Sequence, residues 1–129
     1  MSLLFLRLTG FFGFLAVTLG AFGAHGLKLL LDDTQMETFR TGVLYHFIHV
    51  LALLAINLTG RVPRRVLNLS SLFFIIGIVL FSGSLYLLSC RQIFGIEHWT
   101  FLGPVTPIGG LFFILGWLSL VFVAKESKV

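Results

Sequence analysis

The residues best suited to chemistry in this chain are His25, Tyr45, His46, His49, Ser82, Ser84, Tyr86 and Thr106. His46 and His49 stand three apart in YHFIHV (45–50), a spacing that puts both on one side of a helix. Neutral imidazole ligates zinc, copper or haem iron, and His25 is the candidate third nitrogen. The same groups can instead bond one another between helices, or hold a lipid, a quinone or a small polar molecule. No HExxH or CxxCH motif is present to favour a metal or haem. No cofactor is therefore expected, with a metal or haem on His25, His46 and His49 as the alternative. A serine nucleophile in SGSLY lacks a charged base nearby in sequence; serines in apolar helices more often bond the carbonyl one turn back. The single cysteine, Cys90, allows no internal disulfide.

The surroundings of these residues are hydrocarbon. The chain has 129 residues, 57% of them hydrophobic and 11% charged, and its mean hydropathy is +1.04. That is too little charge to solvate a globular surface. The charges are also bunched. Arg7 and Lys28 enclose 20 residues without Asp, Glu, Lys or Arg, Arg40 and Arg61 another 20, Arg65 and Arg91 25, and Glu97 and Lys125 27. At about 1.5 Å per residue, roughly 20 helical residues cross the roughly 30 Å hydrocarbon core. Four spans follow. They are helices, because the runs are continuously apolar where membrane strands would alternate. A cleaved signal peptide is the rival for the first run, but that run is long for a signal core.

The expected architecture is a single all-α domain, an integral membrane four-helix bundle with helices over 5–27, 35–60, 68–90 and 107–124. Thr34 and Glu37 have capping-box spacing, Asn68 or Ser70 can cap the third helix, and Thr106-Pro107 supplies a cap and first-turn proline for the fourth. Residues 93–105 then form a loop or interfacial segment holding Trp99.

An even number of spans puts both termini and the loop at 60–65 on one side. That side carries Arg7, Arg61, Arg64, Arg65, Lys125 and Lys128 against Glu126; the other carries Lys28, Arg40 and Arg91 against Asp32, Asp33, Glu37 and Glu97. The excess of basic residues places the termini in the cytoplasm and fits a bacterial inner membrane. The pI of 9.9 is thus a topology signal, and no nucleic-acid partner is expected. With this orientation every histidine, both tyrosines and Cys90 fall in the outer half or outer loops, and the inner half is bland. His25, His46 and His49 are expected to converge there with Tyr45 or Tyr86.

Gly10, Gly13, Gly20 and Gly23 recur along the first span, Gly77 and Gly83 along the third, and Gly109, Gly110 and Gly116 along the fourth. Lipid supplies no hydrophobic drive between helices, so small residues that permit close backbone approach mark the expected packing faces. The partners expected are the bilayer itself and a homo-oligomer or larger membrane complex.

GAFGAHGL (20–27), TGVLYHFIHVLALL (41–54), FSGSLYLL (81–88) and TPIGGLFFILGW (106–117) together resemble the YgdD-like family of small bacterial membrane proteins, also called the transmembrane protein 256 family. The resemblance covers nearly the whole chain. It implies a four-helix membrane protein with no defined reaction, and it carries over no catalytic residue. The reading is of a structural or accessory membrane component, with a ligand-holding or catalytic protein as the alternative and the enzyme question open.

Overall fold

A computed structural model describes residues 2–123. Lys125, Glu126 and Lys128, which enter the charge argument above, lie outside the described residues, as does the predicted helix end at 124.

Four helices are long and apolar enough to cross a membrane: α1 (Leu3–His25), α2 (Asp33–Leu58), α3 (Arg64–Ser89) and, after a one-turn helix α4 (Arg91–Phe94), α5 (Leu102–Val121). No strand occurs among the described residues. The first two begin and end two residues earlier than expected, and the last two begin four and five residues earlier.

Each shift has a local cause. The capping box at the start of α2 is made by Asp32 and Gln35, not by Thr34 and Glu37. Gln35 N–H donates to Asp32 Oδ1 at 2.8 Å, and Asp32 N–H donates to Gln35 Oε1 at 3.0 Å. Both orphan donors at that end are satisfied by one reciprocal pair. Helix α3 starts directly after Pro63, whose missing N–H suits a helix start. Pro107 is not a first-turn residue but sits inside α5. It has no N–H to donate to the Gly103 carbonyl four residues back, so α5 lacks that hydrogen bond near its start.

Helix α3 is interrupted by a π-helical turn over Ile78–Ser82, where Gly83 N–H reaches back five residues to the Ile78 carbonyl. Such a turn inserts a residue and widens the backbone, and nothing in the apolar sequence announces it. Gly95 closes α4 at φ +65°, in the left-handed region that glycine tolerates best.

The helices alternate in direction, so α1 begins, α2 ends, α3 begins and α5 ends on one side, here the terminal side. The tightest seam joins α3 to α5. Ser70 meets Ser119, Phe74 meets Gly116, Phe113 meets Gly77, Phe81 meets Gly109 and Ser84 meets Thr106, and from Phe74 onward each step along α3 is matched by an equal step back along α5. Two phenylalanines thus fill opposite glycine notches. Gly109 is the closest approach: a Cβ there would overlap the backbone of Leu80 and Phe81, within the widened turn.

Helix α1 is different. It packs mainly on α2, burying only Thr9, Ala16 and Gly23, a stripe with seven-residue spacing. Gly23 receives the Phe39 ring, and a methyl on Gly20 or Gly13 would only touch Val43 or Val50 at 3.4 or 3.5 Å. The expected glycine faces need correction at two positions. Gly10 and Gly83 face open space, and Gly110 lies in ordinary contact range of Phe81, whereas its neighbour Gly109 is the one enclosed. A sequence gives the spacing of small residues but not the rotational phase of the helix.

Candidate functional site

Three residues along a helix turn through about 300°, so His46 and His49 point about 60° apart. On α2 that angle sends them to different neighbours. Both are almost fully buried, 2% and 3% exposed.

His46 faces α1 and α3. Its Nδ1 lies 2.9 Å from the Tyr86 hydroxyl, and the Phe12 ring of α1 meets it edge-on at 6.1 Å. The Tyr86 hydroxyl has no other hydrogen-bond partner among the described residues, so donation of its O–H to Nδ1 uses its one hydrogen. The ring proton then sits on Nε2, which is buried beside the Phe12 backbone of α1 without reaching good hydrogen-bond geometry.

His49 faces α3 and α5. Its Nδ1 is 2.7 Å from the Tyr45 carbonyl, to which it must donate, and its Nε2 accepts from the Trp117 indole N–H at 3.1 Å. The imidazole lies flat on Phe113, centroids 3.5 Å apart, with Phe74 on another side at 5.3 Å. Its hydrogen-bonding capacity is complete: one donor, one acceptor, both used.

Hydroxyl pairs complete the set. Ser82 donates to the Gly42 carbonyl of α2 at 2.7 Å, leaving the π-helical turn to do so. Ser84 and Thr106 are 2.6 Å apart; Ser84 donates to the Phe81 carbonyl at 2.9 Å, closer than the 3.5 Å from Thr106 to the Leu102 carbonyl, which favours Thr106 as the donor between them. Tyr45 stacks obliquely over Phe81 at 4.7 Å, and it lines, with His49, Gly110, Phe113, Ile114 and Trp117, a groove of about 810 Å³ between α2 and α5 that opens where bilayer hydrocarbon lies.

Several expectations are corrected by this geometry. His25 does not join: it ends α1 exposed at the rim, before the tight 3-10 turn Leu27–Leu29. The three histidines therefore make no common centre, and among the described residues no three His, Cys, Asp or Glu side chains come together as a metal site. His49 is also deeper than an outer-half residue, nine positions from Leu58 and sixteen from Asp33. Nor is the terminal half bland. Asn57, buried within the NLT segment, donates to the Leu53 carbonyl at 2.8 Å and to Ser71 Oγ at 3.2 Å, while its Oδ1 has no partner. Ser70 and Ser119 pair at 2.6 Å. Trp117, which is not among the candidates read from the sequence, is the hydrogen-bond partner of His49; the only signal for it was an indole donor in a span without obvious acceptors.

The family model described as "Protein of unknown function (DUF423)" matches residues 19–110, the stretch that carries all eight candidate residues. The chain belongs to the DUF423 family. It is similar to a UPF0382 membrane protein of Haemophilus influenzae, 39% identical over 96% of this chain and 95% of the relative. The UPF0382 membrane protein YwdK of Bacillus subtilis is 40% identical over 87% of this chain and 88% of its own. The UPF0382 inner membrane protein YgdD of Escherichia coli is 40% identical over 90% and 85%. No solved structure matches the chain. The DUF423 match ends before Phe113, Trp117 and Ser119, so half of the His49 environment lies beyond it.

Proposed function

We propose that this DUF423 protein is a structural or accessory component of the bacterial inner membrane, whose buried polar groups fasten helices to one another. The observation that carries the reading is His49: both ring nitrogens are occupied by protein groups, one on its own helix and one on α5. A polar group inside hydrocarbon is costly unless partnered, and interhelical partners stabilise by about 1 kcal/mol each. His46–Tyr86, Ser82–Gly42, Ser84–Thr106, Asn57–Ser71 and Ser70–Ser119 extend the same pattern to every seam except that of α1. The test is a visible spectrum and elemental analysis of the purified protein. Neither a haem band nor a stoichiometric metal is expected; either one that disappears in His46→Leu or His49→Leu would overturn the reading.

In this reading the termini and Arg61–Arg65 lie in the cytoplasm, supported by the charge bias; the inner membrane itself is supported by the name of the Escherichia coli relative. Cysteines replacing Arg64 and Asp33 should label oppositely with an impermeant reagent added from outside: Asp33→Cys labels, Arg64→Cys is protected.

A second reading rests on the groove beside His49. Its walls are aromatic and aliphatic, and the Tyr45 ring stands at its edge. This supports binding of an apolar membrane-soluble molecule, a lipid or a quinone, against Tyr45, Phe113 and Trp117. Quenching of Trp117 fluorescence by a brominated lipid or a quinone, saturable and lost in Tyr45→Ala, would favour it.

A further inference from the structure

We propose that the notch between the terminal ends of α1 and α3 seats the phosphate of an anionic phospholipid. Helix α1 leans on α2, and α3 leans on α5 and α2, so the first turns of α1 and α3 leave a gap. This gap is a cavity of about 440 Å³ lined by Ser2, Leu4, Phe5, Arg64, Leu67 and Asn68. Its composition is divided in the way a phospholipid is divided. A guanidinium, an amide and a hydroxyl can meet phosphate oxygens; Leu4, Phe5 and Leu67 offer apolar surface to an acyl chain.

Depth agrees with this division. Arg64 opens α3 and Leu3 opens α1, which puts the notch at the headgroup level and not within the hydrocarbon. Charge decides the occupant. Among the described residues Arg7, Arg61, Arg64 and Arg65 are the charged side chains of this side, and none of them makes an ion pair with a described residue. The guanidinium matches two phosphate oxygens with its fork of donors, which a zwitterionic headgroup offers beside its own cation and an anionic one offers without it. Basic pockets at helix ends on the cytoplasmic side are a common way to hold such headgroups. The inference is independent of the role assigned to His46 and His49, which lie deep in the bundle.

The experiment is native mass spectrometry of the full chain released from detergent with phosphatidylglycerol or phosphatidylcholine. The wild type is expected to retain phosphatidylglycerol over phosphatidylcholine. Arg64→Gln should weaken that retention by about fivefold, the value of one basic group near an anionic surface. Arg64→Lys should keep most of the charge term, Asn68→Leu should lose part, and Arg91→Gln on the opposite side should change nothing. Helical circular dichroism of each variant establishes that it is folded. Equal retention of the two lipids, or equal loss from Arg64→Gln and Arg91→Gln, would overturn the proposal. So would displacement of the lipid by inorganic phosphate at equal concentration, which would make the site one for free anion.

Discussion

The seam between α1 and α2 and the seam between α3 and α5 are built from the same small residues yet differ in kind. Along α3 and α5, phenylalanines enter glycine notches from both sides, two hydroxyl pairs cross, and Gly109 brings backbone against backbone. Along α1, a stripe of Thr9, Ala16 and Gly23 lies on α2, and among the described residues the one polar approach across it is the His46 ring beside the Phe12 backbone, outside good hydrogen-bond geometry; Thr9 instead bonds its own Phe5 carbonyl at 2.7 Å. In lipid, association has to come from dispersion at close approach and from polar pairs. The α3–α5 seam uses both, and the α1 seam uses only the first. Helix α1 is a docked helix on a locked three-helix unit.

That contrast ranks substitutions. The largest effect is expected from Gly109→Ala, because its Cβ would overlap the Phe81 backbone, which cannot rotate away as a side chain can. A cost of about 3 kcal/mol is expected from overpacking of this kind, read as a shift in unfolding by denaturing detergent. Gly110→Ala and Gly10→Ala should be near neutral. If Gly109→Ala matches Gly110→Ala, the close backbone seam is not as described.

Next comes the polar fastening of α2 to α3. Tyr86→Phe and His46→Leu should each destabilise, and the double substitution by less than their sum, leaving a coupling of about 1 kcal/mol. Full additivity would mean that the 2.9 Å contact contributes nothing. The smallest effect is expected on α1. Gly23→Leu displaces the Phe39 side chain and should loosen α1 with a loss of about 1 kcal/mol, while Phe14→Leu, 64% exposed to lipid, should be silent. Phe12 would not serve as an exposed control, since it packs against the core and His46. A Gly23→Leu effect as large as that of Gly109→Ala would erase the distinction between docked and locked helices.

The four spans were legible because charge is so costly in hydrocarbon that its absence marks each crossing, and the family resemblance in the four motifs pointed the same way. Helix ends were less legible. Thr34 and Asp32 are both capping residues two positions apart, and only the reciprocal bond with Gln35 selects between them. The glycine faces were legible as a pattern and not residue by residue, since choosing Gly109 over Gly110 needs the rotation of α5 about its axis. His46 and His49 were visible as a pair, but the 60° between them matters only once α1, α3 and α5 occupy definite positions around α2. The role of Trp117 depends on the register of α5 alone. His25 was grouped with them by proximity along the chain, and the turn after it leaves it at the rim.

The claim that the buried polar groups serve one another is tested most directly at His49. Nitrogen NMR of the protein in lipid bilayers, with histidine and tryptophan labelled, reports which ring nitrogen carries the proton and what it faces. Donation to the Tyr45 carbonyl and acceptance from Trp117 require a neutral ring protonated at Nδ1, with Nε2 close to the indole N–H of Trp117 and the Nε2 signal changed by Trp117→Phe. A ring protonated at Nε2, or an Nε2 signal indifferent to Trp117→Phe, would contradict the account.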